Sequence, residues 1–217
     1  MIASGAAAAA DRHRVDLELV LAVDNSLSVN QREYNLQIKG IAEGFRDPDV
    51  VNAILSRDGV AVSIVLWSNH KQQETGVGWT LLDSVETIAA FADRVAAAPR
   101  IEVSGGTGLG SALVYALRSI DTNRFAGERR VIDVSGDGQN NMGVSPSRIR
   151  DEAIAAGVTV NGLAILDEEP WLDRYYASSV IGGPGAFLEV ADDFDSFARA
   201  MRRKLRREIG NSPVASR

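Results

Sequence analysis

The sequence predicts a single α/β domain built on a doubly wound, mostly parallel β-sheet with helices on both faces. Short apolar runs typical of buried strands alternate with segments of helical periodicity along the chain. The length of 217 residues suits one domain with a sizeable core. Hydrophobic residues make up 45% and charged residues 24%, as in an ordinary globular protein.

The amino-terminal part begins with a buried strand. Residues 15–23 (VDLELVLAV) are rich in β-branched residues and nearly continuous in apolar ones, which indicates a strand buried on both faces. Residues 30–45 follow as a helix, because apolar residues recur there at helical spacing. Asp47-Pro48 ends this helix, and a short helix is expected to run to Leu55.

Two strands and a helix come next. Residues 59–67 (GVAVSIVLW) predict a second buried strand, and residues 77–82 predict a short edge strand. The short connection between these strands indicates antiparallel pairing. A helix over residues 84–97 places Ile88, Phe91 and Val95 on one face.

The second half alternates helices and strands. A glycine-rich loop over residues 104–110 (SGGTGLG) precedes a helix that starts at Gly110 or Ser111 and ends at Ile120. Further strands are predicted over 130–135, 158–165 and 186–190, and further helices over 145–156, 171–179 and 193–209. In the last helix, arginines form the outer face, and five apolar residues are expected to face the sheet: Phe194, Phe197, Met201, Leu205 and Ile209.

Composition and charge exclude several functions. The formal net charge of -6 argues against a nucleic-acid partner, because no excess of positive charge offsets the repulsion by phosphates. The chain has no cysteine, which excludes disulfides, thiolate nucleophiles and cysteine-based zinc sites. Only His13 and His70 are available for histidine chemistry. No apolar run reaches the ~18 residues that a membrane span needs.

The first residues differ from the rest of the chain. Residues 1–14 (MIASGAAAAADRHR) predict a leader that is either the remnant of a signal peptide or disordered, because they are small, apolar and of low complexity. A signal remnant would favour a periplasmic or secreted location, and a cytoplasmic location stays open. We expect the domain to span residues 15–210 and a flexible tail to cover residues 211–217.

Polar residues follow two of the predicted strands at their carboxyl ends. Asp24, Ser26 and Ser28 come directly after the first strand, and Asp137 follows the strand that starts at Arg130. Ligands in such sheets bind outside the carboxyl ends of the strands, where the strand order reverses. These four residues therefore meet if the two strands are neighbours at the reversal.

The residue types in this set point to a hard metal ion. Thr107, on the glycine-rich loop, brings the set to two carboxylates and three hydroxyls, with no nitrogen or sulfur. Such ligands suit Mg²⁺, and also Mn²⁺ or Ca²⁺. Because hydroxyls are neutral ligands, a carboxylate from a partner could complete the coordination shell. Helix capping by Ser28 or Asn30 alone would not explain why the aspartates and the threonine occur together.

These motifs resemble those of von Willebrand factor A-like domains. DNSLS at residues 24–28 is similar to their DxSxS motif, and Thr107 in GGTGLG and Asp137 in VSGDG are similar to the residues that complete their metal-ion-dependent adhesion site (MIDAS). VLAVDNSLSV, DVSGDGQNN and GGPGAF also resemble a family of uncharacterised bacterial von Willebrand A-like proteins. The resemblance covers nearly the whole chain from Val15.

The resemblance implies a six-stranded, Rossmann-like sheet of order 3-2-1-4-5-6 whose third strand is antiparallel. It also implies that Ser26, Ser28 and Thr107 contact the metal, and that Asp24 and Asp137 often act through water. The function it implies is a cation-dependent binding module that takes an acidic group from a protein partner, and not an enzyme. A metal-dependent hydrolase and a scaffold with an unused site stay open as alternatives.

Several other residues allow more than one interpretation. SGGTGLGS has glycines at phosphate-loop spacing, but it lacks the lysine that contacts the phosphates. Asn140-Asn141 would either orient waters at the metal or form a turn. Trp171 and Tyr175-Tyr176 would either pack in the domain or contact a partner.

Overall fold

Strands and helices alternate in the order that the sequence predicts. The computed structural model describes residues 12–101 and 105–210, so most of the predicted leader, the tail and Ser104 lie outside the described residues. The strands are β1 (His13–Asp24), β2 (Val60–Trp67), β3 (Gln73–Leu82), β4 (Phe125–Gly136), β5 (Thr159–Ile165) and β6 (Leu188–Ala191). The helices are α1 (Gln31–Arg46), α2 (Pro48–Leu55), α3 (Val85–Ala96), α4 (Leu109–Thr122), α5 (Pro146–Ala155), α6 (Leu172–Ser179) and α7 (Phe197–Gly210).

The six strands form one sheet of order β3-β2-β1-β4-β5-β6. Only β3 in this sheet runs antiparallel to its neighbour, and the other pairs are parallel. This arrangement confirms the predicted fold class, strand order and antiparallel edge strand. The order reverses between β1 and β4, so the carboxyl ends of these two strands flank the position where ligands bind in such sheets.

Both faces of the sheet are covered, because successive side chains of the central strand point to opposite sides. In β1, Leu19 and Leu21 pack against α1, α2, α3 and α7, whereas Val20 and Ala22 pack against α4, α5 and α6. All four side chains are fully or almost fully buried. Two core layers therefore hold β1 from both sides. None of the described helices is both long and apolar enough to cross a membrane.

β1 and β4 both begin earlier than predicted, and their amino-terminal extensions pair with each other. β1 begins two residues earlier than expected, at His13, and β4 begins five residues earlier, at Phe125. His13 pairs with Phe125 and Leu17 pairs with Arg129 in the parallel register. The extra residues are partly polar and lack a continuous apolar pattern, so their strand conformation depends on this pairing.

Two other boundaries also move. β3 starts at Gln73, because its polar first residues pair with the end of β2, where Gln73 lies opposite Trp67. α7 starts at Phe197, four residues later than predicted. The helix begins later because Asp193 and Ser196 form a turn before it. The Ser196 amide donates to Asp193 Oδ1 at 2.7 Å, and the Asp193 amide donates to Ser196 Oγ at 3.2 Å.

The last helix buries the apolar face that its periodicity predicts, together with two charged residues that the pattern misses. Lys204 and Glu208 are both 0% exposed. Lys204 Nζ lies 3.1 Å from Asp133 Oδ1 of β4 and 3.1 Å from Glu208 Oε1. Asn161 of β5 donates to Glu208 Oε1 at 2.9 Å. α7 is thus joined to the sheet by a buried network of one cation and two carboxylates.

Burial changes the ionisation of Asp133 in this network. It raises the pKa of Asp133 to about 7; the nearby Lys204 charge opposes that rise and the Glu208 charge adds to it. The folded protein therefore favours the protonated form of Asp133, because a charged carboxylate loses hydration in a buried site.

We expect Asp133→Asn to remove part of the pH dependence of stability. The folded protein keeps a proton on Asp133 that the unfolded chain releases near pH 4, so the free energy of unfolding falls as the pH rises from about 4 to about 7. The variant should lack this component, at most about 1.4 kcal/mol per pH unit. Urea denaturation across that range measures it, with Asp121→Asn, an exposed change, as the control. Identical slopes for wild type and Asp133→Asn would contradict the assignment.

Candidate metal centre

The loop after β1 brings its polar side chains toward the end of β4. Val23 of β1 pairs with Ser135 of β4, so the residues that follow on each strand emerge side by side. Asp24 Oδ1 accepts a hydrogen bond of 2.7 Å from the Ser26 amide, which bends the chain directly after the strand. The aspartate itself therefore helps to set the course of this loop.

Three of the predicted ligands form one hydrogen-bonded chain. The Ser28 hydroxyl donates to Asp137 Oδ1 at 3.0 Å, and Ser26 Oγ lies 3.1 Å from Ser28 Oγ. Ser26 and Asp137 are buried, whereas Ser28 is exposed. The oxygens of two different loops thus meet at the carboxyl edge of the sheet, with one member facing solvent.

Thr107 reaches the same edge on the glycine-rich loop. Its hydroxyl lies 3.9 Å from the point that a β-carbon on Gly138 would occupy, next to Asp137. The loop lies directly against the segment after β2, because the Gly108 amide donates to the Ser68 carbonyl at 2.8 Å. A β-carbon on Gly108 would lie 2.5 Å from the carbonyl carbon of Asn69, so only glycine permits this approach.

The two asparagines after Asp137 fasten this loop. Asn141 Oδ1 accepts a hydrogen bond of 2.8 Å from the Thr107 amide, and Asn140 Oδ1 accepts one of 3.0 Å from the Gly110 amide. The Asn141 amide in turn donates to the Thr107 carbonyl at 3.0 Å. Both side chains thus position the threonine loop against the aspartate loop.

Arg100 is a positioning residue that the sequence analysis missed. Its guanidinium donates to Asn25 Oδ1 at 3.1 Å and to the Val29 carbonyl, so it spans the loop that carries the two serines. Asn25 also donates to the Ile101 carbonyl at 3.1 Å. No local pattern could reveal this contact, because about 70 residues separate the arginine from the loop that it holds.

A comparison with protein families identifies the chain. The model of the family described as "Protein of unknown function (DUF1194)" matches residues 14–213. The chain belongs to this family. A comparison with curated proteins gives no match.

Solved structures show that this DUF1194 domain has the von Willebrand factor type A fold. "von Willebrand factor type A from Catenulispora acidiphila" has a TM-score of 0.64 at 19% identity, over 91% of this chain and 43% of that chain. The vWF domain of the type V pili tip protein Mfa5 from Porphyromonas gingivalis has a TM-score of 0.64 at 12% identity, over 94% and 99%.

A third similar structure holds a metal. Proximal thread matrix protein 1 (PTMP1) from the mussel byssus, described with a zinc-occupied MIDAS motif, has a TM-score of 0.64 at 16% identity, over 91% of this chain and 46% of that chain. The DUF1194 chain thus spans less than half of the PTMP1 chain. Identities this low establish the fold alone.

The two aspartates of the DUF1194 site are buried, and the described residues supply no ion-pair partner to either of them. Asp24 is 0% exposed and its Oδ2 atom has no hydrogen-bond partner. Burial, together with the charge of Asp137, raises the pKa of Asp24 well above its usual value. Burial also raises the pKa of Asp137 to about 6, opposed by its bond from Ser28. No cationic side chain of the described residues forms an ion pair with either aspartate.

Other buried polar groups lie near the Asp24 side chain. A β-carbon on Gly136 would lie 2.7 Å from Asp24 Oδ2 and 2.9 Å from the Tyr176 hydroxyl, so both groups border the same small space. The Trp67 indole nitrogen and the Tyr176 hydroxyl are buried without a hydrogen-bond partner. Tyr176 is fully buried, so it packs inside the domain and does not contact a partner. Trp171, by contrast, is 65% exposed.

The donor set fits a hard divalent cation. The unpaired Asp24 oxygen, the second carboxylate and the hydroxyls supply only oxygen atoms, as Mg²⁺, Mn²⁺ and Ca²⁺ prefer. In the described part of the chain, no group of three or more histidine, cysteine, aspartate or glutamate side chains is placed to hold a metal ion. A cation here would therefore depend on the serine and threonine hydroxyls as well as on the carboxylates.

We expect Gly108→Ala to displace the threonine loop, because its β-carbon would overlap the backbone of Asn69. The loss in unfolding free energy should be about 1–3 kcal/mol. Gly105→Ala is the matched control in the same loop, since a β-carbon there meets no atom within 4 Å. Urea denaturation of both variants tests this. Equal stability of the two variants would show that the close approach at Gly108 is not required.

Proposed function

We propose that this DUF1194 domain binds a divalent cation through Asp24, Ser26, Ser28, Thr107 and Asp137, and that the cation recruits an acidic group of a protein partner. Mg²⁺ is the proposed ion, and Mn²⁺ or Ca²⁺ would also fit the oxygen ligands. The observation that carries the proposal is the pair of buried, adjacent aspartates that lack a cationic partner among the described residues.

The electrostatics support a bound cation. Burial removes hydration from both carboxylates and raises the pKa of each, and the charge of Asp137 raises the pKa of Asp24 further. A divalent cation offers the missing counter-charge to both at once. Helix capping needs neither aspartate in this place, and α1 already has its own cap, because Asn30 Oδ1 accepts hydrogen bonds from two amides of the first turn.

The hydroxyl ligands support the recruitment of an acidic group. Serine and threonine oxygens are neutral, so a cation that they hold keeps positive charge for a further ligand. The solvent-facing member of the hydrogen-bonded chain, Ser28, marks the side from which a partner would approach. A partner carboxylate is the hard, anionic oxygen ligand that such an ion would take.

The similar structures also support this assignment. The PTMP1 structure is described as having zinc in its MIDAS motif, and the Mfa5 structure is described as belonging to a pili tip protein. We extend to this chain a role in binding without catalysis, and a periplasmic or secreted location that agrees with the predicted leader.

Calorimetric titration with Mg²⁺ and with Mn²⁺ tests the metal site. Wild type should bind both ions, and Asp24→Ala should lose binding by at least about tenfold, because one of the two carboxylates is removed. Asp121→Ala, which removes an exposed carboxylate at the opposite edge of the sheet, is the matched control and should bind like wild type. Equal heats from wild type and Asp24→Ala would sink the assignment.

The same samples separate the alternatives. A scaffold with an unused site would bind neither ion in any variant. A metal-dependent hydrolase would release phosphate from ester substrates when Mg²⁺ is added, and would stop with Asp24→Ala. Partner capture that persists in EDTA would contradict a cation-mediated contact.

Thr107→Ala should weaken metal and partner binding more than it weakens the fold. The loop is held by backbone hydrogen bonds of Thr107 to Asn141 and Met142, and these survive the substitution. We therefore expect a stability loss below about 1 kcal/mol, with Mg²⁺ affinity lower by about tenfold. Thermal denaturation and calorimetry on the same preparation give both values. A loss of stability with unchanged affinity would assign the hydroxyl to the fold instead.

A further inference from the structure

The loop between β5 and α6 displays negative charge beside the candidate metal centre. Asp167, Glu168 and Glu169 follow β5 in sequence, and β5 runs parallel to β1 and β4, so the loop lies at the same edge of the sheet as the proposed ligands. Asp167 and Glu168 are exposed and Glu169 is partly exposed. None of the three forms an ion pair with another described residue.

Glu169 is held close to the centre. Its Oε2 atom accepts a hydrogen bond of 2.9 Å from the side chain of Gln139, two residues after Asp137. Its Oε1 atom lies 3.6 Å from the position of a β-carbon on Gly138, and the Thr107 hydroxyl lies 3.9 Å from that same position. A carboxylate outside the proposed ligand set is therefore held against the loop of Asp137, on the side of the Thr107 hydroxyl.

Two more carboxylates belong to segments that flank the centre. Glu33, in the first turn of α1, accepts a hydrogen bond of 2.7 Å from the Asn30 amide, just beyond the serine loop. The charges of Glu168 and Glu33 both act on Asp137. We call Glu33, Glu168 and Glu169 the acidic rim.

Exposed apolar side chains accompany the acidic rim. Leu27, on the loop after β1, is 63% exposed, and Trp171, two residues after Glu169, is 65% exposed. Met142 and Val144, on the loop after β4, are also exposed. Large exposed apolar residues next to a polar site are typical of a contact surface. The guanidinium of Arg174 lies 4.4 Å from the ring centre of Trp171, so this chain already supplies a cation to the indole ring.

We propose that the acidic rim selects partners whose metal-binding acidic residue is flanked by lysine or arginine. The inference rests on the proposed function, because the acidic residue is the one that the cation recruits. A partner segment with only acidic residues would be attracted by the cation and repelled by the acidic rim. A basic neighbour of the acidic residue turns the second contact into an attraction to the carboxylates of the acidic rim.

The negative charge of the acidic rim also limits which protein segments can bind. Exposed charges act over about one Debye length, roughly 8 Å at physiological ionic strength, so rim carboxylates near the centre act on residues adjacent to the bound acid. Segments with several acidic residues in a row are disfavoured by the same carboxylates. The rim therefore adds specificity that the cation alone does not supply.

Selection from a library of random displayed peptides tests this inference. Peptides are captured on the Mg²⁺-loaded wild-type protein and eluted with EDTA. We expect the eluted sequences to be enriched in aspartate or glutamate, with lysine or arginine next to it. Acidic enrichment without basic neighbours overturns the rim's role and leaves the proposed function standing. Absence of acidic enrichment overturns both.

Charge reversal at one residue of the acidic rim gives a second test of the inference. Glu168→Lys changes an exposed side chain for which the described residues contain no ion-pair partner, so its fold should be unaffected. A selected peptide should bind this variant about twofold to fivefold more weakly, the range that one exposed ion pair supports. Glu128→Lys, an equally exposed reversal near the start of β4, should bind like wild type. Equal affinity of wild type and Glu168→Lys would exclude the rim as the source of selectivity.

Discussion

The pair of buried aspartates at the ends of two neighbouring parallel strands is the constraint on which the site depends. Parallel pairing of β1 with β4 places Asp24 and Asp137 side by side, and packing on both faces of the sheet removes them from water. Two negative charges that are buried together are unfavourable unless polar or cationic groups stabilise them. The serine hydroxyls lie in a hydrogen-bonded chain with Asp137, and one Asp24 oxygen has no hydrogen-bond partner.

The domain treats its buried charges in two different ways. Lys204 forms ion pairs with Asp133 and Glu208, so the network between α7 and the sheet is structural. Its charge changes only when one of its own groups gains or loses a proton. At the carboxyl edge the described residues supply no such cation to the aspartates. That difference separates a group of charges that joins helix to sheet from a pair of aspartates that has no ion-pair partner among the described residues, although both are almost fully buried.

The loops around the aspartates are held mainly by contacts that leave the proposed ligands free. Arg100 holds the loop after β1 through Asn25 and a backbone carbonyl, and Asn140 and Asn141 hold the threonine loop through backbone amides. Loops that are held in place by residues other than the proposed ligands suit a preorganised binding site. Sequence reasoning could suggest the asparagines from their position after Asp137, but nothing near Arg100 in the chain indicates its role.

The sequence by itself determined the order of the elements, the buried character of β1 and the placement of DNSLS at a strand end, because apolar periodicity and strand-end position are local properties. The tertiary structure alone decided the rest. The amino-terminal extensions of β1 and β4 exist because His13 and Phe125 pair with each other, and Lys204 and Glu208 are buried because Asp133 faces them. Each of these features joins residues far apart in the chain, and a hydropathy pattern carries no information about which distant residue will be the partner.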